Sequence, residues 1–280
     1  MSHDIGCSGS SFMVTDRTKV KRLSERGKYE KKVVYDILDE CLTCVYSFCP
    51  VNKYGFRVDD QEVPTPMSIP QSCVRYGNYL LTHGKSNSTL MKHMAQGFPV
   101  SVAATLIDGV VFARSGFNHS MNYRSVVIYG TAEEVTNMEE KRKLLNHVID
   151  HLTYPGRAKE CRPIADAELV STTLTRLEIK EASAKVRQGP PHDDKADLSH
   201  PAWAGVVPLA FKAGTPISDR ADSDIGMTSL SVPKGLLKSD RFNPTSNYNS
   251  VNICCLKEWT PMIALSVAIA SVSLLVFHIK

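Results

Sequence analysis

Apolar positions recur at helical spacing over residues 29–40, where Val33, Val34, Ile37 and Leu38 share one face. An apolar run of strand length follows at 42–48, and then a polar turn near 52–55. Residues 63–69 are bracketed by prolines and read as an edge strand. A short strand is predicted over 78–82, after the turn Arg75-Tyr76-Gly77. Residues 85–96 read as a helix that stops before Gly97. The runs 100–106 and 110–113 flank Ile107-Asp108-Gly109, and Asp-Gly between apolar runs predicts a hairpin. Further strands are expected at 125–130, 174–179 and 206–211, and a helix at 139–152. Many short strands with few helices predict a mainly β fold, a closed barrel or a sandwich.

The two ends of the chain lack this pattern. Residues 1–16 have no period and read as a disordered lead, and 215–260 turn rich in Ser, Asn, Asp and Pro, as a linker does. Residues 262–279 contain no Asp, Glu, Lys or Arg. At ~1.5 Å per residue they span roughly 27 Å, enough for a thin bilayer. Pro261 stands where such a helix begins and Trp259 where an interfacial aromatic belongs. The expected organisation is a folded domain over 17–214, a linker over 215–260 and a single-pass membrane tail anchor over 261–280. The domain then faces the cytosol. Cys254 and Cys255, just ahead of the span, are candidate lipidation sites.

Composition narrows the classes. A formal charge of +4, from 33 basic and 29 acidic residues, is too weak to predict nucleic acid as a partner. The N-terminus shows no basic region followed by an apolar stretch, so the eight cysteines are expected as reduced thiols. Cys41 and Cys44 form a C-x-x-C pair, but the pair lies in an apolar run and no second pair completes a zinc site. Buried strand cysteines are the simpler reading, and no metal site is expected.

Two segments carry candidate chemistry. In the first, a strand ends in His83-Gly84 and a helix starts among Lys85, Ser86, Ser88, Thr89 and Lys92. Unpaired N–H groups, hydroxyls and charge suit a phosphate there; simple capping by Ser or Thr is the alternative. The second runs from Arg114 to Val126 and includes His119, Asn122, Tyr123, Arg124 and Ser125. Arg124 enters an apolar strand and needs a partner, either a phosphate or a structural carboxylate. His83 and His119 are candidate acid–base groups.

These segments carry a family resemblance. Arg17-Thr18-Lys19-Val20-Lys21-Arg22, Val63-Pro64-Thr65 and His83-Gly84 contribute, as does Asp108-Gly109-Val110-Val111-Phe112-Ala113-Arg114-Ser115. So do the stretch from His119 to Val126, Glu181-Ala182-Ser183-Ala184-Lys185-Val186-Arg187, and Pro201-Ala202-Trp203-Ala204-Gly205-Val206. Residues 17–213 resemble the FMN-binding split-barrel superfamily, in its pyridoxamine 5′-phosphate oxidase-like, flavin-nucleotide-binding branch. Nitroimidazole-resistance reductases form a neighbouring branch. The resemblance implies a six-stranded antiparallel split barrel that dimerises, with FMN in a groove at the dimer interface.

Carried onto this chain, it sets Val63, Pro64 and Thr65 along the flavin ring. Lys85, Ser88, Thr89 and Lys92 then hold ribityl and phosphate, with Tyr123, Arg124 and Ser125 completing the phosphate side. Arg187 and Trp203 close the ring pocket, and His83 is the candidate catalytic proton donor and a cofactor contact. The C-terminal Arg and His signature of the vitamin B6 oxidase is not found; the region reads FKAGTPISDR. Two function classes follow. One is a membrane-tethered FMN oxidoreductase that moves hydride or electrons from a nicotinamide, NAD(P)H, to a small acceptor. The other is a non-catalytic FMN or haem carrier.

Overall fold

The structure is a computed structural model that describes residues 9–50, 55–58, 61–217 and 233–239. The chain divides into two compact units, Met1–Leu209 and Ala210–Lys280. In the second, residues 210–217 lack regular structure and α6 is the short helix Lys234–Leu237. The membrane span expected at 262–279 lies outside the described residues. Among the described residues no helix is long and apolar enough to cross a membrane.

The first unit is mainly antiparallel β with flanking helices. In chain order it contains β1 (Gly27–Lys28), α1 (Lys31–Glu40), β2 (Thr43–Phe48), β3 (Gly55–Val58), β4 (Gln61–Pro64), β5 (Met67–Ser72), β6 (Val74–Tyr76) and β7 (Tyr79–Lys85). Then come α2 (Thr89–Ala95), β8 (Pro99–Phe112), β9 (Ser120–Glu134), α3 (Met138–Leu152), α4 (Arg157–Glu160), α5 (Asp166–Ser171), β10 (Thr172–Glu178), β11 (Glu181–Arg187) and β12 (Gly205–Pro208). The main sheet runs β5-β2-β8-β9-β10-β7-β6, with β11 also on β9, β1 on β11 and β12 on β8. β3 and β4 form a separate two-stranded ribbon.

Two long strands set the architecture. β9 pairs β11 through Tyr123–Tyr129 and then changes partner to β10 through Ala132–Glu134. β8 likewise pairs β2 with its first half and β12 with its last residues. This change of partner midway opens the sheet, and the arrangement fits a split barrel.

Two cores fill it. α1 places Val34, Ile37 and Leu38, and α2 places Leu90, Met91 and Met94, against the inner face of β2, β8, β9 and β11. A second core joins Leu81 and Leu174 to Leu144, Leu145 and Val148 of α3 and Leu169 of α5. Within the segment expected as a disordered lead, Phe12 is buried in the first core, and its N–H donates to the carbonyl of Tyr29.

Several sequence expectations change in detail. The hairpin expected at Asp108-Gly109 is not formed. β8 runs straight through it, with a bulge between Ile107 and Gly109. The true β8–β9 connection is the loop at 113–119. A bulge and a turn both use Asp-Gly, and here Arg124 holds the Asp108 carboxylate while β12 covers Gly109. The helix expected over 85–96 is the shorter α2, because β7 continues to Lys85. Its stop is as expected: Gly97 has φ +73°, a left-handed conformation that glycine adopts without strain. β11 escaped prediction because Ala182, Ser183 and Ala184 give no hydrophobic alternation.

Candidate functional site

The bulge decides which side chains share a face. On β9 the alternation puts Met121, Tyr123 and Ser125 on the outer face and Asn122, Arg124, Val126 and Ile128 on the inner one. The extra residue in β8 resets its alternation. Ile107 faces outward with Tyr123, and Val110 and Phe112 again face outward with Met121. Val207 of β12 is opposite Val110. The outer face therefore carries Ile107, Phe112, Met121 and Val207, all exposed apolar side chains.

Trp203 ends this face and is 64% exposed. Its ring lies 5.7 Å from that of Phe112, and the His119 ring lies 5.9 Å from the same Phe112 ring. Gly205 makes this possible: a Cβ there would stand 2.7 Å from the Trp203 ring. His119 Nδ1 is 3.0 Å from the carbonyl of Ser115. A carbonyl only accepts, so Nδ1–H is the donor in this bond.

The loop after β11 lies beside this face. Arg187 is buried, and its Nη1 donates to Asn122 Oδ1. Nη1 also donates to the carbonyl of Gly189 at 3.3 Å, and Nη2 to that of Pro190 at 3.2 Å. Burial, with Arg26 nearby, disfavours its charge. The loop is strapped by Asp193, which accepts from the Arg114 backbone N–H and side chain, both at 2.9 Å. Sequence reasoning missed Asp193 and Phe112, and it passed over Asn122 inside a segment already singled out for its donors.

Tyr123 and Ser125 sit on the outer face as a joint role requires, and Ser125 donates to the carbonyl of Lys185 at 3.3 Å. Arg124 does not join them. It points to the opposite face, where it donates to Asp108 at 2.9 and 2.7 Å and to Glu40 at 2.5 and 2.8 Å. Of the two partners left open by the sequence, the carboxylate is present. Successive strand side chains alternate between faces, so the Arg124 side chain does not share a face with those of Tyr123 and Ser125.

The residues expected to act together fall at two ends of one strand. His83 pairs with Leu174 of β10, whose carbonyl accepts from Val135 N–H just past the end of β9. Tyr123 is twelve residues before Val135, roughly 40 Å of strand contour away. Lys85 and Lys92 are exposed, while Ser88 is occupied as the N-cap of α2, accepting from Met91 N–H at 3.3 Å. Thr89 is the first residue of that helix. Val63 and Pro64 belong to β4, and Thr65 to the link between β4 and β5. His83 is half-buried, and burial lowers its pKa below the ordinary imidazole value. It is then neutral at neutral pH, better suited to accept a proton or ligate a metal than to act as an acid.

Comparison with known proteins supplies the family. The model of the family described as pyridoxamine 5′-phosphate oxidase matches residues 50–186, from before β3 into β11. The chain is 32% identical to the flavocytochrome Anf3 from Azotobacter vinelandii, with a TM-score of 0.68, over 80% of this chain and 96% of that one. It is 30% identical to the FAD and haem binding protein from Mycobacterium smegmatis, with a TM-score of 0.64, over 76% of this chain and 96% of that one. The search of curated proteins found no match. Such identity along nearly the full length of both structures, on a sheet that changes partners as a split barrel does, makes this chain a member of the FMN-binding split-barrel, pyridoxamine 5′-phosphate oxidase-like superfamily.

Proposed function

We propose that this chain is a flavin-dependent oxidoreductase that works as a homodimer, with the flavin between two protomers on the outer face of β8, β9 and β12. One observation carries the reading. The two similar structures above, each at 30% identity or more, are named as a flavocytochrome and as a FAD and haem binding protein. The local chemistry supports it. The outer face offers exposed apolar side chains, and Phe112, His119 and Trp203 offer ring surfaces for a flat heterocycle. Arg187 offers a buried positive charge. A two-fold axis beside β9 would bring the Tyr123 end of one copy towards the His83–Lys92 end of the other.

A bound flavin supplies hydride and electron chemistry. The chain's own side chains orient it, cover it from water and set its electrostatics. FMN is the form expected from the sequence, whereas one relative's name specifies FAD; both share the ring and a phosphate. The electron donor is a nicotinamide, NAD(P)H, and the acceptor a small molecule. Residues 262–279 tether the protein to a membrane, with the barrel on the cytosolic side. Nucleic acid is no partner.

The test is reduction of the bound flavin. Anaerobic NADH or NADPH should bleach it, and a small acceptor should restore it. A flavin reduced by dithionite but by neither nicotinamide would overturn this donor assignment.

A second reading adds haem, in a carrier or electron-transfer role. Both relatives' names favour it. His83 suits an axial ligand: it is half-buried and neutral, and no hydrogen bond occupies its ring among the described residues. A Soret band lost in His83→Ala supports this reading; a pure flavin spectrum refutes it.

A further inference from the structure

Residues 15–28 include six basic and two acidic side chains, so this stretch alone carries a formal charge of +4, as much as the whole chain. The fold lays it along β11. Thr15 and Arg17 donate to Glu181 at the start of that strand, and Gly27 pairs with Lys185 nearer its end. Lys185 Nζ donates to the carbonyl of Arg22 at 2.9 Å. Lys19, Lys21, Arg22 and Lys28 are exposed, and none of them makes an ion pair among the described residues. The acids close by do little to cancel this charge. Glu181 is committed to Arg17, and the carboxylate of Glu30, although it acts on Lys28, is held chiefly by the backbone N–H groups of Glu30 and Tyr29.

The same segment exposes apolar side chains. Met13 is 76% exposed, Val14 49% and Leu23 40%. Among the described residues Leu23 is also the one non-glycine with positive φ, at +55°. The left-handed region disfavours a leucine, and this leucine gains little from burial. Its surroundings hold the turn. The Arg26 N–H donates to the Leu23 carbonyl at 3.0 Å, and the Val20 N–H donates to the Tyr29 hydroxyl at 2.9 Å.

We propose that residues 13–28, with Lys185, dock on the surface of an anionic phospholipid bilayer. Cations interleaved with exposed apolar side chains fit the headgroup boundary. Lys and Arg meet the anionic headgroups there, and Met13, Val14 and Leu23 enter the acyl edge. A nucleic acid would use the cations and leave the apolar side chains in water. Neither the flavin nor a tail anchor at 262–279 enters this inference.

The experiment uses the full chain with vesicles of phosphatidylcholine alone or of phosphatidylcholine with phosphatidylserine. Amine labelling, read by peptide mass spectrometry, follows Lys19, Lys21 and Lys28, with the exposed Lys143 of α3 as reference. At low salt the three should label roughly 5- to 10-fold more slowly on the phosphatidylserine vesicles, with Lys143 unchanged. High salt should remove the difference. A tail that inserts does so in both vesicle types, so the comparison isolates the patch whether or not the tail is an anchor. Each cation contributes about fivefold, so the combined variant Lys19→Gln, Lys21→Gln, Arg22→Gln should weaken docking roughly 100-fold and expose Lys28. A wild-type chain labelled alike on the two vesicle types overturns the proposal without any variant. A folded triple variant that keeps Lys28 protected overturns it too, as does protection by duplex RNA with none by vesicles.

Discussion

Replacing Arg124 by alanine should destabilise the fold without removing a phosphate contact. Arg124 bridges Asp108 in the β8 bulge and Glu40 at the end of α1. Its side chain is 18% exposed, that of Asp108 29% and that of Glu40 54%. The Glu40 arm is half in water and is worth about 0.5 kcal/mol. The Asp108 arm is bidentate and better shielded. Removing the guanidinium breaks charge-assisted bonds and leaves Asp108 without its partner, at a cost of about 2–3 kcal/mol. The sum is about 3 kcal/mol, which for a domain of this size lowers the melting temperature by roughly 6–12 °C. The assay is thermal and urea unfolding of the full chain, with a double-mutant cycle. Coupling of Arg124→Ala with Asp108→Asn should exceed that with Glu40→Gln. Bound flavin per folded molecule should be nearly unchanged. An Arg124→Ala protein that melts with the wild type yet loses its flavin would refute the reasoning.

Other outcomes follow from the same geometry. Gly205→Ala pushes a methyl group into the Trp203 ring, so it should shift tryptophan fluorescence and weaken flavin binding by about 1–3 kcal/mol; unchanged fluorescence and affinity would show that the ring is not held by this contact. His83 must be neutral in the fold, so its lowered pKa makes stability fall as pH drops through the ordinary histidine range, about 6.5. His83→Gln should flatten that part of the pH–stability curve, and an equal slope in both proteins would contradict it. Burial opposes ionisation of Asp193, but the N–H groups of Arg114 and Ser115 and the Arg114 guanidinium outweigh it and lower its pKa. The strap is therefore complete above the ordinary carboxylate pKa of about 3.9 and opens as pH falls through the lower folded value. Hydrogen exchange of residues 188–193 should rise in that acid range in wild type, and be high at all pH values in Asp193→Asn.

Much of the fold is legible in the sequence wherever one face is strongly apolar. α1 and α3 show their helical period, and β2 and β10 show their apolar runs. The long strands are less legible because their halves serve different partners. The sequence pattern predicts β9 only over its most apolar residues, 125–130, although it runs from Ser120 to Glu134. The Asp-Gly signal predicts a turn, but local chemistry does not distinguish a turn from a bulge. That choice is made by Arg124 and β12, which are distant in sequence. The family was readable from its motifs, while the grouping of site residues was not. Ser88 caps its own helix, Arg124 faces the core rim, and His83 stands at the far end of β9 from Tyr123. A partner chain is what would rejoin them, and a single sequence carries no record of its partner.

The most direct measurement is the absorption spectrum of the purified full chain, followed by mass identification of any released cofactor. The account predicts a yellow protein with about one flavin per protomer, released as FMN or FAD, with or without a Soret band beside it. A folded protein that is colourless as purified, and that binds neither FMN nor FAD when they are added, would contradict it.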